Sequence, residues 1–203
     1  MQFPAKPRTA PSQFAVYRLT NGEWLPKDGK FLVWEADQLY LGARYPANFS
    51  EESFDNKDQR TKEKIAAADL MFATSPAPIS KSSDPIHLTL QRITWRIQVR
   101  IADFKSEIPT GSKVADVKFI TTDNKNRLQE WLPYTENDGG KGSQYTALLT
   151  AFKKMKISLT VNGKAMEAWL DIDTPAGRGE AGKIYTFNLT VGKDKLEVGE
   201  VNV

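Results

Sequence analysis

Apolar and polar residues alternate along much of the chain, and this period of two is typical of half-buried β-strands. Three segments show the alternation most clearly. Their apolar positions are Ile93, Trp95, Ile97, Val99 and Ile101 in the first, Ile157, Leu159 and Val161 in the second, and Tyr185, Phe187, Leu189 and Val191 in the third. The pattern predicts three strands, each with one face in a hydrophobic core, and the first is expected to be antiparallel to its neighbours.

Turn signals connect these strands. Asn162-Gly163 directly follows the second strand and is the residue pair that a two-residue type I′ hairpin prefers, so a return strand is expected over residues 165–172. Residues 86–90 alternate out of phase with the first strand, which predicts a bulge or break near Gln91 and Arg92. The last residues predict a short final strand with a glycine bulge at Gly199.

The N-terminal part is less regular. Strands are predicted over residues 14–19, 30–34 and 38–43, with turns at Asn21-Gly22 and Asp28-Gly29 between them. Only two segments have helical character. Residues 62–68 are rich in Lys, Glu and Ala, and residues 145–154 place Leu148, Leu149 and Phe152 on one helical face.

A proline- and serine-rich segment divides the sequence. Residues 74–85 contain three prolines and four serines, a composition typical of a linker. Many short strands with frequent turns favour sandwiches over a parallel α/β sheet, because the crossover helices of a parallel sheet are missing. The sequence therefore predicts an all-β protein with two tandem β-sandwich domains, residues 1–83 and 84–203, and short helices.

Composition narrows the functional classes. The chain has 203 residues, a net charge of +3 and no run of five like charges, so nucleic acid is not an expected partner. Cysteine is absent, which excludes disulfides and thiolate sites. No apolar run approaches a membrane span, and Met1 is not followed by a basic and then apolar leader, so the protein is either cytosolic or has lost its leader.

Candidate catalytic chemistry is sparse. His87 is the only histidine, and we interpret it as a strand residue with a structural role. Acid pairs such as Asp171 with Asp173, or Glu51 with Glu52, are the only features that suggest a glycosidase, and 25 acidic residues produce such spacings by chance. We expect no enzyme activity, no catalytic residues, no metal site and no cofactor.

Exposed aromatic residues offer an alternative function, because a sugar ring can stack on them. Trp131, followed by Tyr134 in a predicted loop, is the best candidate for a surface glycan contact. Packing of Trp131 against the edge of the sandwich is the competing interpretation.

The C-terminal third resembles the conserved end of the Bacteroidales fimbrillin family, which includes major and minor fimbrial subunits. The resemblance rests on residues 182–196, Gly-Lys-Ile-Tyr-Thr-Phe-Asn-Leu-Thr-Val-Gly-Lys-Asp-Lys-Leu. Trp34, the Gly-Ala-Arg-Tyr-Pro segment at 42–46 and the Asp-Leu-Met-Phe-Ala segment at 69–73 are similar to further family elements. The N-terminal region is short for the family and the lipoprotein signal with its cysteine is missing, so the first domain is expected to be either trimmed or naturally reduced.

The resemblance implies two transthyretin-like Greek-key sandwiches, export to the cell surface as an outer-membrane lipoprotein, and assembly into a fimbria. In polymerising members an N-terminal strand is removed, and the groove accepts a strand from the next subunit by β-augmentation. We predict a fimbrial subunit or surface adhesin whose partners are itself, other fimbrial subunits, or a host or glycan ligand. The strand-exchange candidates are Leu196, Val198, Val201 and Val203.

Overall fold

The computed structural model describes residues 13–47, 56–82, 84–122, 127–150, 154–172 and 179–203. Strands dominate these residues, as the alternating pattern predicts, and the described residues contain one short helix. The elements of the first half are β1 (Tyr17–Thr20), β2 (Glu23–Pro26), β3 (Gln38–Leu39), β4 (Gly42–Tyr45), α1 (Lys62–Ala67), β5 (Met71–Thr74), β6 (Ile79–Ser80) and β7 (Gln91–Arg92).

The second half is built from longer strands. They are β8 (Trp95–Phe104), β9 (Val114–Thr122), β10 (Leu128–Trp131), β11 (Tyr134–Thr135), β12 (Gln144–Leu149), β13 (Lys154–Val161), β14 (Lys164–Trp169), β15 (Ile184–Val191) and β16 (Leu196–Val198). Four of them form one sheet in the order β10-β9-β13-β14. The other five form a second sheet in the order β11-β12-β8-β15-β16.

The inner faces of these two sheets share one hydrophobic core. Its members include the alternating residues of all three predicted strands, among them Ile97, Val99, Ile157, Phe187 and Leu189, which are fully buried. Trp95 is 2% exposed, donates from Nε1 to the Thr150 carbonyl oxygen at 2.8 Å, and meets the Tyr185 ring edge to face at 5.5 Å. The predicted inward faces are therefore confirmed, except at Ile93, which precedes β8, is only partly buried and does not belong to this core.

The strand pairing of β8 differs from the antiparallel expectation on one side. β8 pairs antiparallel with β12 but parallel with β15. The chain between β8 and β15 passes through the strands of the other sheet, so a parallel pair forms here without a crossover helix.

The predicted turns are confirmed. Asn162 and Gly163 both have positive φ, 50° and 78°, and they connect β13 to β14 with Val161 opposite Lys164, as a type I′ hairpin requires. The predicted break near Gln91 and Arg92 lies two residues later, at Ile93 and Thr94, where the chain leaves β7 and enters β8. Residues 86–90 are not a strand.

One of the two predicted helices is confirmed. α1 begins after Thr61, whose hydroxyl accepts a hydrogen bond from the Lys64 N–H at 3.2 Å and so caps the helix. The helix predicted over residues 145–154 is wrong, because residues 144–149 form β12 and β13 starts at Lys154. Five of the six residues of β12 are buried, so its apolar residues point to both faces and produce an apparent helical stripe.

The N-terminal strand predictions are confirmed in part. β1 overlaps the first, and β3 and β4 together overlap the third. Residues 30–34 are not a strand. The sequence pattern does not predict β2, because Glu23-Trp24-Leu25-Pro26 does not alternate.

Contacts divide the chain into a smaller unit, Met1–Gly42 with Thr74–Leu88, and a larger unit, Ala43–Ala73 with Thr89–Val203. The larger unit contains the sandwich. In the smaller unit β1 pairs with β2 and β3 with β6, and Ser75 is the only buried residue among those described. Its large exposed apolar side chains include Leu19, Trp24, Leu25, Phe31, Leu32 and Val33. The domain boundary at residues 83 and 84 stays a prediction, as do tandem transthyretin-like domains.

Candidate strand-exchange site

The last residues of the sequence form the outer strand of the five-stranded sheet. β16 pairs with β15, with Leu196 opposite Val191 and Val198 opposite Leu189. Beyond β16, Gly199 donates to the Asn188 carbonyl oxygen at 2.9 Å, and Thr186 and Asn202 exchange two backbone hydrogen bonds of 2.8 and 3.0 Å. β16 could therefore leave without breaking the pairing between any other two strands.

A bulge decides which residues of this segment face the core. Leu189 is opposite Val198, and Thr186 is opposite Asn202. Two residues of β15 lie between these pairs, whereas the terminal segment has three residues between them. This confirms the glycine bulge predicted at Gly199. The extra residue brings Val201 to the same face as Leu196 and Val198, and all three pack against the core. Val203 is 72% exposed, so three of the four predicted strand-exchange candidates make core contacts.

Two lysines hold the side chain of Glu197 on β16. Lys105, which follows β8, pairs with one Glu197 carboxylate oxygen, and Lys195 lies 3.0 Å from the same oxygen. These hydrogen bonds, the one from Lys105 first, lower the pKa of Glu197 from its ordinary value. This cluster cannot be predicted from the sequence, because nothing in the spacing of residues 105 and 197 indicates that they meet.

The two predicted ligand-contact aromatics have different surroundings. Trp131 is 8% exposed, and its indole donates to the Thr121 hydroxyl at 3.0 Å, so the packing interpretation holds for this residue. Tyr134 is half-buried in β11. The exposed tryptophans of the described chain are Trp24 and Trp169, each 57% exposed.

A groove of about 810 Å³ lies beside the first half of β9. β10 pairs with β9 only from Phe119 to Thr122, and a bulge with left-handed Asp116 (φ 50°) disrupts the strand before that point. Val114, Leu132, Pro133 and Tyr145 contribute apolar surface to the groove, which also has charged residues along it. Neither Trp131 nor Tyr134 is among its lining residues.

The described side chains do not form a recognisable catalytic arrangement. No group of three His, Cys, Asp or Glu residues that could hold a metal ion occurs among them. His87 is exposed on an irregular segment rather than on the predicted strand. Of the acid pairs, Asp173, Glu51 and Glu52 lie outside the described residues. The described part of the chain contains no helix with the length and apolarity of a membrane span.

The described residues thus form an all-β sandwich whose outer strand is the terminal segment. A sequence profile for fimbrillin-like proteins matches residues 5–203. The chain therefore belongs to the fimbrillin-like family, a family of fimbrial structural proteins that are typically not enzymes, and this implies a place in cell-surface fimbriae. No curated protein sequence matches the chain at a significant level.

Solved structures share the fold at low sequence identity. A candidate cell adhesion protein from Bacteroides uniformis is 17% identical with a TM-score of 0.55, and the match covers 90% of this chain and 77% of that chain. A candidate cell adhesion protein from Bacteroides ovatus is 15% identical with a TM-score of 0.54, over 92% and 77%. A fimbrial protein from Bacteroides ovatus is 16% identical with a TM-score of 0.49, over 88% and 41%.

Proposed function

We propose that the protein is a fimbrial structural subunit or surface adhesin that assembles by β-strand exchange. The observation that carries this proposal is the position of the terminal segment, Leu196 to Val203, at the outer edge of the five-stranded sheet. An edge strand can move to another subunit without unfolding the sheet that it leaves, and it takes a set of apolar side chains with it.

The terminal segment has the side chains that a donor strand needs. Leu196, Val198 and Val201 lie on one face and occupy the core, and an equivalent groove in a neighbour would bury them again. Burial of Leu196 contributes roughly 1.5 to 3 kcal/mol gross, and the partly buried Val198 and Val201 contribute less than that each, before the entropy of ordering the strand is subtracted. Exchange between two such sites costs little at equilibrium, because each sheet packs against the incoming strand as it packed against its own.

The smaller unit offers further apolar surface for contacts between subunits. Its described strands are short, and Leu19, Trp24, Leu25 and Phe31 are exposed although they are large and apolar. A β-sheet that exposes such residues gains stability when another strand covers them. Contact between subunits at these residues would add to the stability that exchange of the terminal segment gives to the assembly.

Partners and location follow from the same proposal. The partners are further copies of this chain or other fimbrial subunits, and the terminal strand is the contact between them. Export as a lipoprotein and attachment to the outer membrane are part of the proposal, since fimbriae are built outside the cell. A glycan-binding module based on Trp131 and Tyr134 is less well supported, because Trp131 is buried.

Substitutions in the terminal segment test the proposal. Val198→Asp with Val201→Asp would place carboxylates against the core, where they lack partners, and should destabilise the segment by roughly 2 to 4 kcal/mol. We expect proteases to remove the end of the chain from this variant faster than from the native protein. We also expect the variant to lose assembly, measured by light scattering and negative-stain electron microscopy.

Val203→Asp is the matched control, because Val203 lies in the same segment but is exposed. It should leave both proteolysis and assembly unchanged. A synthetic peptide of residues 194–203 should bind the native protein and slow its assembly. The proposal fails if the double variant assembles as well as the native protein, or if the peptide neither binds nor inhibits.

A further inference from the structure

Thr94 has a buried hydroxyl group that no described protein group bonds. The residue lies between β7 and β8 and is 2% exposed. Its carbonyl oxygen accepts a hydrogen bond from the Gly182 N–H at 2.8 Å, but Oγ1 has no hydrogen-bond partner among the described residues. An unpaired buried hydroxyl is unfavourable, and the large majority of such groups in proteins have a protein or water partner. The Thr94 hydroxyl therefore points to a partner outside the protein.

A small cavity lies beside this hydroxyl, within the larger unit. Its volume is about 10 Å³, and Thr94 lines it together with Leu70, Leu148 and the polar residues Asn56, Gln59 and Thr150. A buried water needs a cavity of at least about 10 to 15 Å³ with polar groups around it. The cavity is therefore just large enough for one water molecule and too small for an organic ligand.

The Gln59 amide at this cavity is already occupied. Its oxygen accepts from the Leu148 N–H at 2.8 Å. Its nitrogen donates to the carbonyl oxygens of Leu148 and Asn56, at 2.8 and 3.0 Å. An amide nitrogen has two hydrogens, so both donors of Gln59 are used within the protein. Gln59 fixes one wall of the cavity, and its two amide hydrogens are not available to a water.

Asn56 and Thr150 supply the acceptors that remain. Asn56 donates from Nδ2 to the Lys64 carbonyl oxygen at 3.1 Å, and its Oδ1 is an acceptor. The Thr150 carbonyl oxygen accepts from Trp95 Nε1 at 2.8 Å and has a second lone pair. Together with the Thr94 hydroxyl these groups make three, and a buried water typically forms about three hydrogen bonds.

We propose that the cavity at Thr94 is a binding site for one structural water molecule. The water hydrogen-bonds to the Thr94 hydroxyl, to Asn56 Oδ1 and to the Thr150 carbonyl oxygen. It thereby joins three segments of the larger unit, namely the chain before α1, the chain before β8 and the chain after β12. The site is separate from the terminal segment, so it does not depend on strand exchange.

The direction of the stability change in Thr94→Val tests the proposal. Valine has almost the shape of threonine and is also β-branched, but it lacks the hydroxyl. With a water bound, the substitution removes a satisfied hydrogen bond, so the unfolding equilibrium constant in urea should rise about fivefold. Without a water, the same substitution removes an unpaired buried hydroxyl and should stabilise the protein.

Thr89→Val is the matched control, because Thr89 is exposed and lies five residues earlier in the same unit. It should change the unfolding equilibrium constant by less than about twofold. Thr94→Ser keeps the hydroxyl and so should keep the water.

Nuclear magnetic resonance detects the water directly in the full chain. A long-lived water should give a nuclear Overhauser cross-peak to protons of Thr94 in the native protein and in Thr94→Ser, and none in Thr94→Val. The proposal is overturned if Thr94→Val is as stable as the native protein or more stable. It is equally overturned if the native protein shows no such cross-peak, a result that stands even if the valine variant does not fold.

Discussion

Gln59 shows how a single polar residue can replace a missing strand. Its side chain is completely buried and lies beside β12. The amide oxygen accepts from the Leu148 N–H at 2.8 Å, and the amide nitrogen donates to the Leu148 carbonyl at 2.8 Å. β11 pairs with β12 only at Tyr145 and Thr146, so the Gln59 amide satisfies the backbone of β12 beyond the end of β11.

Replacement of Gln59 by leucine should destabilise the protein by roughly 2 to 4 kcal/mol. The substitution keeps the volume but leaves the N–H and C=O of Leu148 buried without these partners. Urea unfolding followed by circular dichroism gives the change in unfolding free energy. Gln38→Leu is the control, because Gln38 is exposed, and it should change stability by less than about 0.5 kcal/mol. Equal stability of the two variants would contradict this role of Gln59.

The burial of a residue can be predicted where apolar and polar residues alternate regularly along a strand. It cannot be predicted where that alternation is missing. Trp95 belongs to a long alternating segment, so its phase alone predicts burial, and the structure agrees. Trp131 lies at the end of β10, just before the chain crosses to the other sheet at Leu132 and Pro133. Its contact with Thr121 depends on the register between β10 and β9, which no local pattern specifies.

At the scale of elements, β12 shows that the spacing of apolar residues does not identify a strand that is buried on both faces. A strand that is buried on one face alternates, but five of the six residues of β12 are buried, so both of its faces are covered. Its sequence Gln-Tyr-Thr-Ala-Leu-Leu ends in three consecutive apolar residues rather than in an alternation, so it is compatible with a helix or a strand. The parallel pairing of β8 with β15 also cannot be predicted from local sequence patterns, since it joins segments about ninety residues apart.

Glu197 should make the stability of the terminal strand depend on pH. Lys105 and Lys195 lower the pKa of Glu197 in the folded protein from its ordinary value of 4.5. The stabilisation is thus fully present above that value and is lost as pH falls through the lower, folded pKa. Glu197→Gln should reduce the fall in melting temperature between pH 6 and pH 3, measured by circular dichroism.

Glu200→Gln is the control for the pH experiment, because Glu200 is an exposed residue of the same segment. It should keep the pH dependence of the native protein. If Glu197→Gln and the native protein lose the same number of degrees on acidification, the ion pairs on β16 do not contribute to its attachment.

At the scale of the whole molecule, the position at which the C-terminal domain begins stays a prediction. Residues 84–203 contain every strand of the sandwich. Residues 57–59 nevertheless bond to it, through Gln59 N–H to the Leu132 carbonyl and Leu132 N–H to the Lys57 carbonyl, each at 2.8 Å. We predict that a fragment of residues 84–203 folds on its own but is several kcal/mol less stable than a fragment of residues 43–203.

Urea unfolding of the two fragments measures this difference. The expected result has a physical reason, because the shorter fragment lacks Gln59 and so leaves the N–H and C=O of Leu148 without these partners. A shorter fragment that does not fold would refute the predicted boundary at residues 83 and 84. Equal stability would show that residues 43–73 do not contribute to the sandwich.

The central claim, that the terminal segment moves between subunits, can be tested by locking it in place. The chain has no cysteine, so Thr186→Cys with Asn202→Cys introduces a single possible disulfide. These residues are directly opposite each other and exchange both backbone hydrogen bonds, which places their Cα atoms about 5.5 Å apart, within the range that a disulfide spans. Ser158→Cys with Glu167→Cys locks the β13-β14 hairpin and serves as the control.

The measurement is the rate of assembly of each variant before and after reduction, followed by light scattering and electron microscopy. Strand exchange predicts that the oxidised 186–202 variant stays monomeric and assembles once it is reduced, whereas the 158–167 variant assembles in both states. Assembly of the oxidised 186–202 variant at the rate of its reduced form would contradict the account, because its terminal strand cannot leave β15.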